Sequence, residues 1–385
     1  MTDYLSKKTL SIFALGSLAL GDFSTETLQA QGCVAVRGGG MCTLNHAHLG
    51  EEMGMEGNQW MASLGYRFFK SDRHFSGDRE PRNALGQNRF EQGTEVINYS
   101  NFIDLSISYQ ITPRYSATVA VPMVYNLRSA PYEHSGVRRE TRSSGLGDLR
   151  TTLGAWIWNP VDRPKGNLQL SLGVKAPTGD FGATDTFYQD QDPTAGVNIQ
   201  PVRRPVDQSI QPGDGGWGLS LEANAYRQLH PDWTAYLQGY YLFNPQNVNG
   251  TRSPTVRRDA GPNIGGIDID NGMSITDQYM ARGGMIYTLS QKHSLSVSLG
   301  GRIEGVPVED LNGNAGNQEG FRRPGFSVAI EPGINWMPGK WNVGLNAPLR
   351  IYANRQYSYW DGIKGRHGDA AFADYLVTVS VSRLF

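Results

Sequence analysis

The stretch Phe102-Ile103-Asp104-Leu105-Ser106-Ile107-Ser108-Tyr109 sets Ile103, Leu105, Ile107 and Tyr109 on one side of an extended chain and Asp104, Ser106 and Ser108 on the other. Successive side chains of a strand point to opposite faces, so this is a strand with one apolar and one polar face. The alternation returns from Leu295 to Glu304, where Leu295, Val297, Leu299 and Ile303 oppose Ser296, Ser298, Arg302 and Glu304. It returns again from Trp341 to Ile351. Followed along the chain, the pattern predicts twelve strands near 59–70, 97–110, 115–127, 145–158, 168–176, 215–228, 233–243, 275–289, 294–304, 325–337, 341–353 and 371–385.

The connections are as informative as the strands. Short turns (Thr112-Pro113-Arg114, Asn159 to Asn167, His230-Pro231-Asp232, Gln291-Lys292, Pro338-Gly339-Lys340) alternate with long polar loops at 71–96, 128–144, 177–214, 244–274, 305–324 and 354–370. An even strand count with short turns at one end and long loops at the other is the pattern of a bacterial outer-membrane barrel. A soluble sandwich alternates too, but nothing in it makes long and short connections take turns. Trp158, Trp233, Trp336 and Trp341 flank short turns and Trp60 opens the first strand, as an interfacial aromatic girdle requires. The expected fold is therefore all-β: an antiparallel transmembrane up-and-down barrel of about 12 strands with long outer loops and short periplasmic turns.

Composition agrees. The 385 residues include 47 Gly, 10% aromatic and only 18% charged residues, which fits neither a disordered chain nor an ordinary globular enzyme. A net charge of -1 leaves no basic surface for nucleic acid. Mean hydropathy is -0.43, and beyond residue 30 no apolar run approaches the roughly 20 residues of a spanning helix.

Lys7 and Lys8 precede an apolar run from Leu10 to Leu20, and Ala30 and Gly32 follow, so 1–32 reads as a signal peptide. The mature chain would start near Gln31 or Cys33, and 33–58 reads as an N-terminal periplasmic or plug segment. Lipidation at Cys33 is disfavoured by Ala30 and Gln31. Cys33 and Cys42 are the only cysteines, and export to an oxidising compartment makes a local disulfide the expected state. His46 and His48 add metal-ligand types, but the spacing is unlike that of zinc sites, and no metal or cofactor is expected.

With the apolar face toward lipid, the inward face carries Arg67, Asp104, Asp148, Arg150, Lys175, Glu222, Arg282, Arg302, Glu304, Glu331, Arg350 and Asp374. Six acids and six bases balance, so these lumen-lining residues are expected to pair across the interior rather than form a ring of one sign. Tyr226, Tyr236 and Tyr240 share that face. Inward glycines (Gly147, Gly173, Gly218, Gly284, Gly300, Gly344) favour an open path, whereas paired charges favour a filled one.

Other chemistry is weaker. His74, His134, His230, His293 and His367 all fall in predicted loops or turns, which disfavours a nucleophile–base site on the wall. The groups Asp268, Asp270, Asn271 and Asp310, Asn312, Asn314 lack the closing Glu of a calcium loop. The pairs Arg138-Arg139, Arg203-Arg204, Arg257-Arg258 and Arg322-Arg323 sit in outer loops, where guanidinium groups can meet lipopolysaccharide phosphates.

Ser144-Gly145-Leu146-Gly147-Asp148-Leu149 and Lys175-Ala176-Pro177-Thr178-Gly179-Asp180 resemble motifs of the outer-membrane proteins of the phenol-degradation meta-pathway group. Gly320-Phe321-Arg322-Arg323-Pro324-Gly325 and Arg366-His367-Gly368-Asp369-Ala370-Ala371-Phe372 resemble segments of exported barrels from the same set. The resemblance spans about 60–385 and implies a transporter, with no catalytic residues. Turn chemistry alone also accounts for the first two motifs. The chain's final strand face, Val377, Val379, Val381 and Phe385, is similar to the membrane-targeting signal read by the barrel-assembly machinery.

The expectation is a non-enzyme: an outer-membrane barrel with both termini in the periplasm, passing small solutes, hydrophobic or aromatic ones included. Its partners would be outer-membrane lipid, lipopolysaccharide and the assembly machinery. The alternatives are a closed structural barrel whose loops bind surface ligands and, less favoured, a loop-based hydrolase.

Overall fold

The structure, a computed structural model, describes residues 57–190, 199–253, 263–264, 267–268, 272–312, 320–365 and 367–385. The signal segment, the Cys33–Cys42 pair, His46, His48 and the Arg257-Arg258 pair lie outside the described residues.

Fourteen hydrogen-bonded segments form one sheet, and because two of the strands are each broken in two, they make twelve barrel strands. These are β1 (Gln59–Phe75), β2 (Ile97–Gln110), β3 (Tyr115–Ala130), β4 (Arg139–Leu146 continued by Leu149–Trp156), β5 (Gly166–Ala176) and β6 (Gly218–His230). They continue with β7 (Trp233–Phe243), β8 (Gln278–Ser290), β9 (Leu295–Val306), β10 (Gly325–Trp336), β11 (Trp341–Asn346 continued by Leu349–Arg355) and β12 (Ala370–Leu384). Each pairs antiparallel with its neighbour, and β1 pairs with β12 from Met61↔Leu384 to Phe75↔Ala370, closing the barrel.

Closure pairs the first strand with the last, which is what lets a sheet cross lipid with its backbone groups satisfied. The outer half of β4, Arg139–Leu146, pairs on one side alone, with β3. The burial pattern is inside-out. Ile107, Leu153, Leu172, Leu221, Leu237 and Leu299 stand exposed on the outer face, while the alternate Ser, Asn and charged side chains are buried. A band of exposed leucines and isoleucines this continuous belongs in a bilayer rather than in water. Trp60, Trp158, Trp233 and Trp336 are exposed at the short-turn end. There Trp60 packs on Tyr109, Trp233 packs on Tyr287, and the Arg383 guanidinium lies 5.0 Å from the ring centres of both Trp341 and Phe385. Among the described residues no helix is long and apolar enough to cross a membrane.

Several boundaries differ from the sequence reading, and His230, expected in a turn, is the last residue of β6. β4 begins at Arg139, because Arg139–Leu146 continues the pairing of β3 beyond the apolar band, where an alternation of polar residues gives no hydrophobic signal. β11 is interrupted at Ala347-Pro348, where Pro348 has no N–H to donate and Ala347 N–H reaches Pro332 O instead. His74 lies inside β1 rather than in a loop, at its outer end.

Candidate permeation path and outer cavity

Along the strands, pairing within a strand and between adjacent or near strands neutralises the inward charges. Arg67 donates from Nε to Asp104 Oδ2 at 2.6 Å and from Nη2 to Oδ1 at 3.0 Å, and its guanidinium also lies 4.6 Å from the Phe102 ring centre. Arg282 reaches Glu331 at 2.7 Å, and Arg302 reaches Glu304 at 2.6 Å and Glu331 at 3.8 Å. Arg150 pairs with Glu222, and Arg350 with Asp374. Ten of the twelve inward charges thus find a partner within the set, and Tyr226, Tyr236 and Tyr240 are buried beside them.

The other two, Asp148 and Lys175, turn to a segment that the periodicity did not single out. Loop 177–214 carries a hairpin of Thr184–Asp190 and Ile199–Pro205, and then returns inward. Val206, Asp207, Ser209, Ile210 and Gln211 are each no more than 1% exposed. Asn126 Nδ2 on β3 donates to Ile210 O at 3.4 Å, and Ser143 Oγ on β4 donates to the same carbonyl. At the end of the segment, Lys175 pairs with Asp214, and the Asp148 carboxylate accepts Gly179 N–H at 3.0 Å and Asp214 N–H at 3.1 Å. Thr178 Oγ1 donates to Gly147 O at 2.9 Å and accepts Leu149 N–H at 2.8 Å. The two glycine motifs of the sequence are therefore one assembly, holding the inward segment against the wall.

Glycine here makes contact rather than open space. A Cβ on Gly179 would come within 2.7 Å of Gly213 Cα, and one on Gly218 within 2.7 Å of Asn244 Oδ1. At Gly300 the room is taken by the Tyr236 hydroxyl, and at Gly173 by Ser220. This corrects the expectation that inward glycines leave the lumen open at these positions.

A cavity of about 650 Å3 lies between the 76–96 loop, the 356–369 loop and the Phe321–Arg323 stretch. Asn98 and Arg128, inward positions near the outer ends of β2 and β3, share its lining with Tyr132, Phe321, Arg323 and Trp360. The two later glycine-containing motifs thus meet here as well, through Phe321, Arg323, His367, Gly368 and Asp369. His74 fixes the wall: its Nε2 accepts Val96 N–H at 2.9 Å and its Nδ1 lies 3.1 Å from Asp369. Burial pushes the Asp369 carboxyl up, but His74 and Arg89 outweigh it and hold it at about 2. Burial likewise raises Asp207, and Arg128 and Arg323 reverse this and hold it well below the usual carboxylate range.

One surface expectation is corrected. Arg322 is fully buried, bonded to Asp310, and Arg323 holds Asp207, so this pair does not face lipopolysaccharide. Asp310 accepts from Arg322 and from Asp277 N–H.

No family model matches the chain, and no curated protein matches it. Among solved structures, an outer-membrane channel from Pseudomonas putida F1 matches with a TM-score of 0.50 and 13% identity, covering 86% of this chain and 96% of that one. The chain has the fold of an outer-membrane barrel. A mutant of the monoaromatic hydrocarbon channel TodX matches with a TM-score of 0.44 and 10% identity over 94% of this chain and 99% of that one. The translocator domain of the autotransporter NalP from Neisseria meningitidis matches with 0.43 and 10% over 85% and 88%.

Proposed function

We propose that this chain is an outer-membrane channel for passive uptake of small solutes, hydrophobic and aromatic ones included, and that it carries out transport rather than catalysis. The observation that carries the reading is a closed, inside-out barrel whose outer mouth holds a cavity, mainly polar but with Tyr132, Phe321 and Trp360 in its wall, that reaches the inward positions Asn98 and Arg128. The shared fold with a bacterial outer-membrane channel supports it. In this reading the paired inward charges from Arg67 to Asp374 line the path, and membership of the phenol-degradation meta-pathway group rests on the motifs quoted above. Residues 1–32 act as an export signal, 33–58 as a periplasmic or plug segment with a Cys33–Cys42 disulfide, and Phe385 as part of the assembly signal. Lipopolysaccharide and the barrel-assembly machinery are the partners this implies.

One observation favours the closed-barrel alternative: the segment around Val206 to Asp214 fills interior space. Conductance of the refolded protein in a planar bilayer, with phenol added, separates the two. Steady conductance partly blocked by phenol supports the channel. A silent bilayer containing protein that still shows the gel-mobility shift of a folded barrel overturns it.

A further inference from the structure

Asp207, on the inward segment, is gripped by two arginines of the cavity wall. Arg323 holds it through both nitrogens, Nη1 to Oδ1 at 3.0 Å and Nη2 to Oδ2 at 2.7 Å, and Arg128 Nη2 lies 3.5 Å from Oδ2. Two parallel N–H···O bonds are the geometry by which a guanidinium recognises a free carboxylate. Arg128 has a second carboxylate, Glu133 at 2.8 Å, so it stays neutralised if Asp207 withdraws. An aromatic residue stands beside each arginine: the Arg323 guanidinium lies 5.0 Å from the Phe321 ring centre, and Arg128 donates to the Tyr132 hydroxyl at 3.1 Å. All four side chains line the cavity.

We propose that Arg323, with Arg128, forms a binding site for an aromatic monocarboxylate, and that Asp207 is its built-in competitor. A ligand carboxylate that replaces Asp207 on Arg323 frees the first half of the inward segment. The second half stays anchored at Asp214 by Asp148 and Lys175. Without a ligand, withdrawal of Asp207 would leave buried guanidinium charge uncompensated, which is strongly unfavourable. Exchange of one carboxylate for another keeps the charge count, so the ligand lowers the cost of release, and a neutral molecule of the same shape does not. The binding site stands independently of transport, whereas the release of the segment as a gate rests on the channel reading.

The test uses the full chain refolded in detergent, with folding checked by gel mobility, and titrates benzoate, benzyl alcohol and inorganic phosphate by calorimetry. Benzoate should bind at least about tenfold tighter than either, and Asp207→Asn should tighten benzoate by a further factor of about ten, because the competitor is gone. Arg323→Lys, which keeps the charge but loses the fork, should weaken it. Equal binding of benzoate and benzyl alcohol by the wild-type protein overturns the site, and phosphate equal to benzoate replaces it with a general anion site of the kind a lipid phosphate would use. Should Asp207→Asn fail to fold, the wild-type and Arg323→Lys titrations still decide. Benzoate bound with conductance unchanged overturns the gate. Benzoate selectively bound by a protein silent to every solute overturns the channel reading and leaves the site standing.

Discussion

Arg282 and Glu331 meet 2.7 Å apart, and both side chains are almost wholly buried within the barrel. Arg302, the second guanidinium near Glu331, has Glu304 as its own partner. Removing Glu331 therefore strands Arg282 in particular. Glu331→Leu should destabilise the refolded barrel by about 3–5 kcal/mol, read from its urea unfolding midpoint, and Arg282→Met in the same chain should recover most of the loss. A single variant as stable as the wild type would show that water reaches the pair freely. Asp369 gives a pH test at the same scale. Its carboxyl is held at about 2, below the ordinary 3.8, so its contribution is present above the ordinary value and is lost as pH falls through 3.8 toward 2. Trp360 on the same loop is buried, and its fluorescence should stay constant at mildly acidic pH and shift to the red near pH 2. Asp369→Asn should bring that shift to neutral pH, and a variant whose emission matches the wild type there would remove Asp369 from the loop's support.

The inward segment is the element that the sequence conceals. Strands are legible because alternation is local: Ile103 to Tyr109 reveals its two faces within eight residues. Residues 206–214 have no period, and their burial rests on distant groups: Asn126, Ser143, Arg128 and Arg323. The glycine motifs at 144–149 and 175–180 are legible as turns, but their junction through Asp148 exists only once β4 and β5 lie side by side. A pointer was nevertheless present, since Gly213-Asp214-Gly215-Gly216 offers the small residues that a backbone needs to approach another backbone. Gly213 meets Gly179 so closely that a Cβ there would lie 2.6 Å from Gly179 O and 2.7 Å from Asp148 Oδ1. Gly213→Ala should lift the segment from the wall, giving faster proteolysis near residues 206–216 and, if the segment limits the path, a larger unit conductance. Unchanged proteolysis would show that the contact does not hold the segment.

At the scale of the whole molecule, the barrel inverts the usual division between core and surface. Exposed leucines face lipid, and the interior is filled by ion pairs, hydroxyls and amides, with only small apolar clusters such as Phe69, Phe102, Val124 and Leu376. Charge balance in that interior has a consequence for permeation. Ion selectivity comes from a ring of one sign, and here each inward guanidinium has a carboxylate beside it, on its own strand or one or two strands away. A conducting wild-type channel should therefore show a reversal potential close to zero in a potassium chloride gradient. Glu222 is more accessible than Asp104, Glu304 or Glu331, with its side chain 18% exposed. Glu222→Gln leaves Arg150 without its counter-charge and should move the reversal potential toward anion preference, more so at low salt, where screening is weakest. An unmoved reversal potential in a variant that still conducts would place the Arg150–Glu222 pair away from the conducting path and leave it the structural role of bracing β4 against β6.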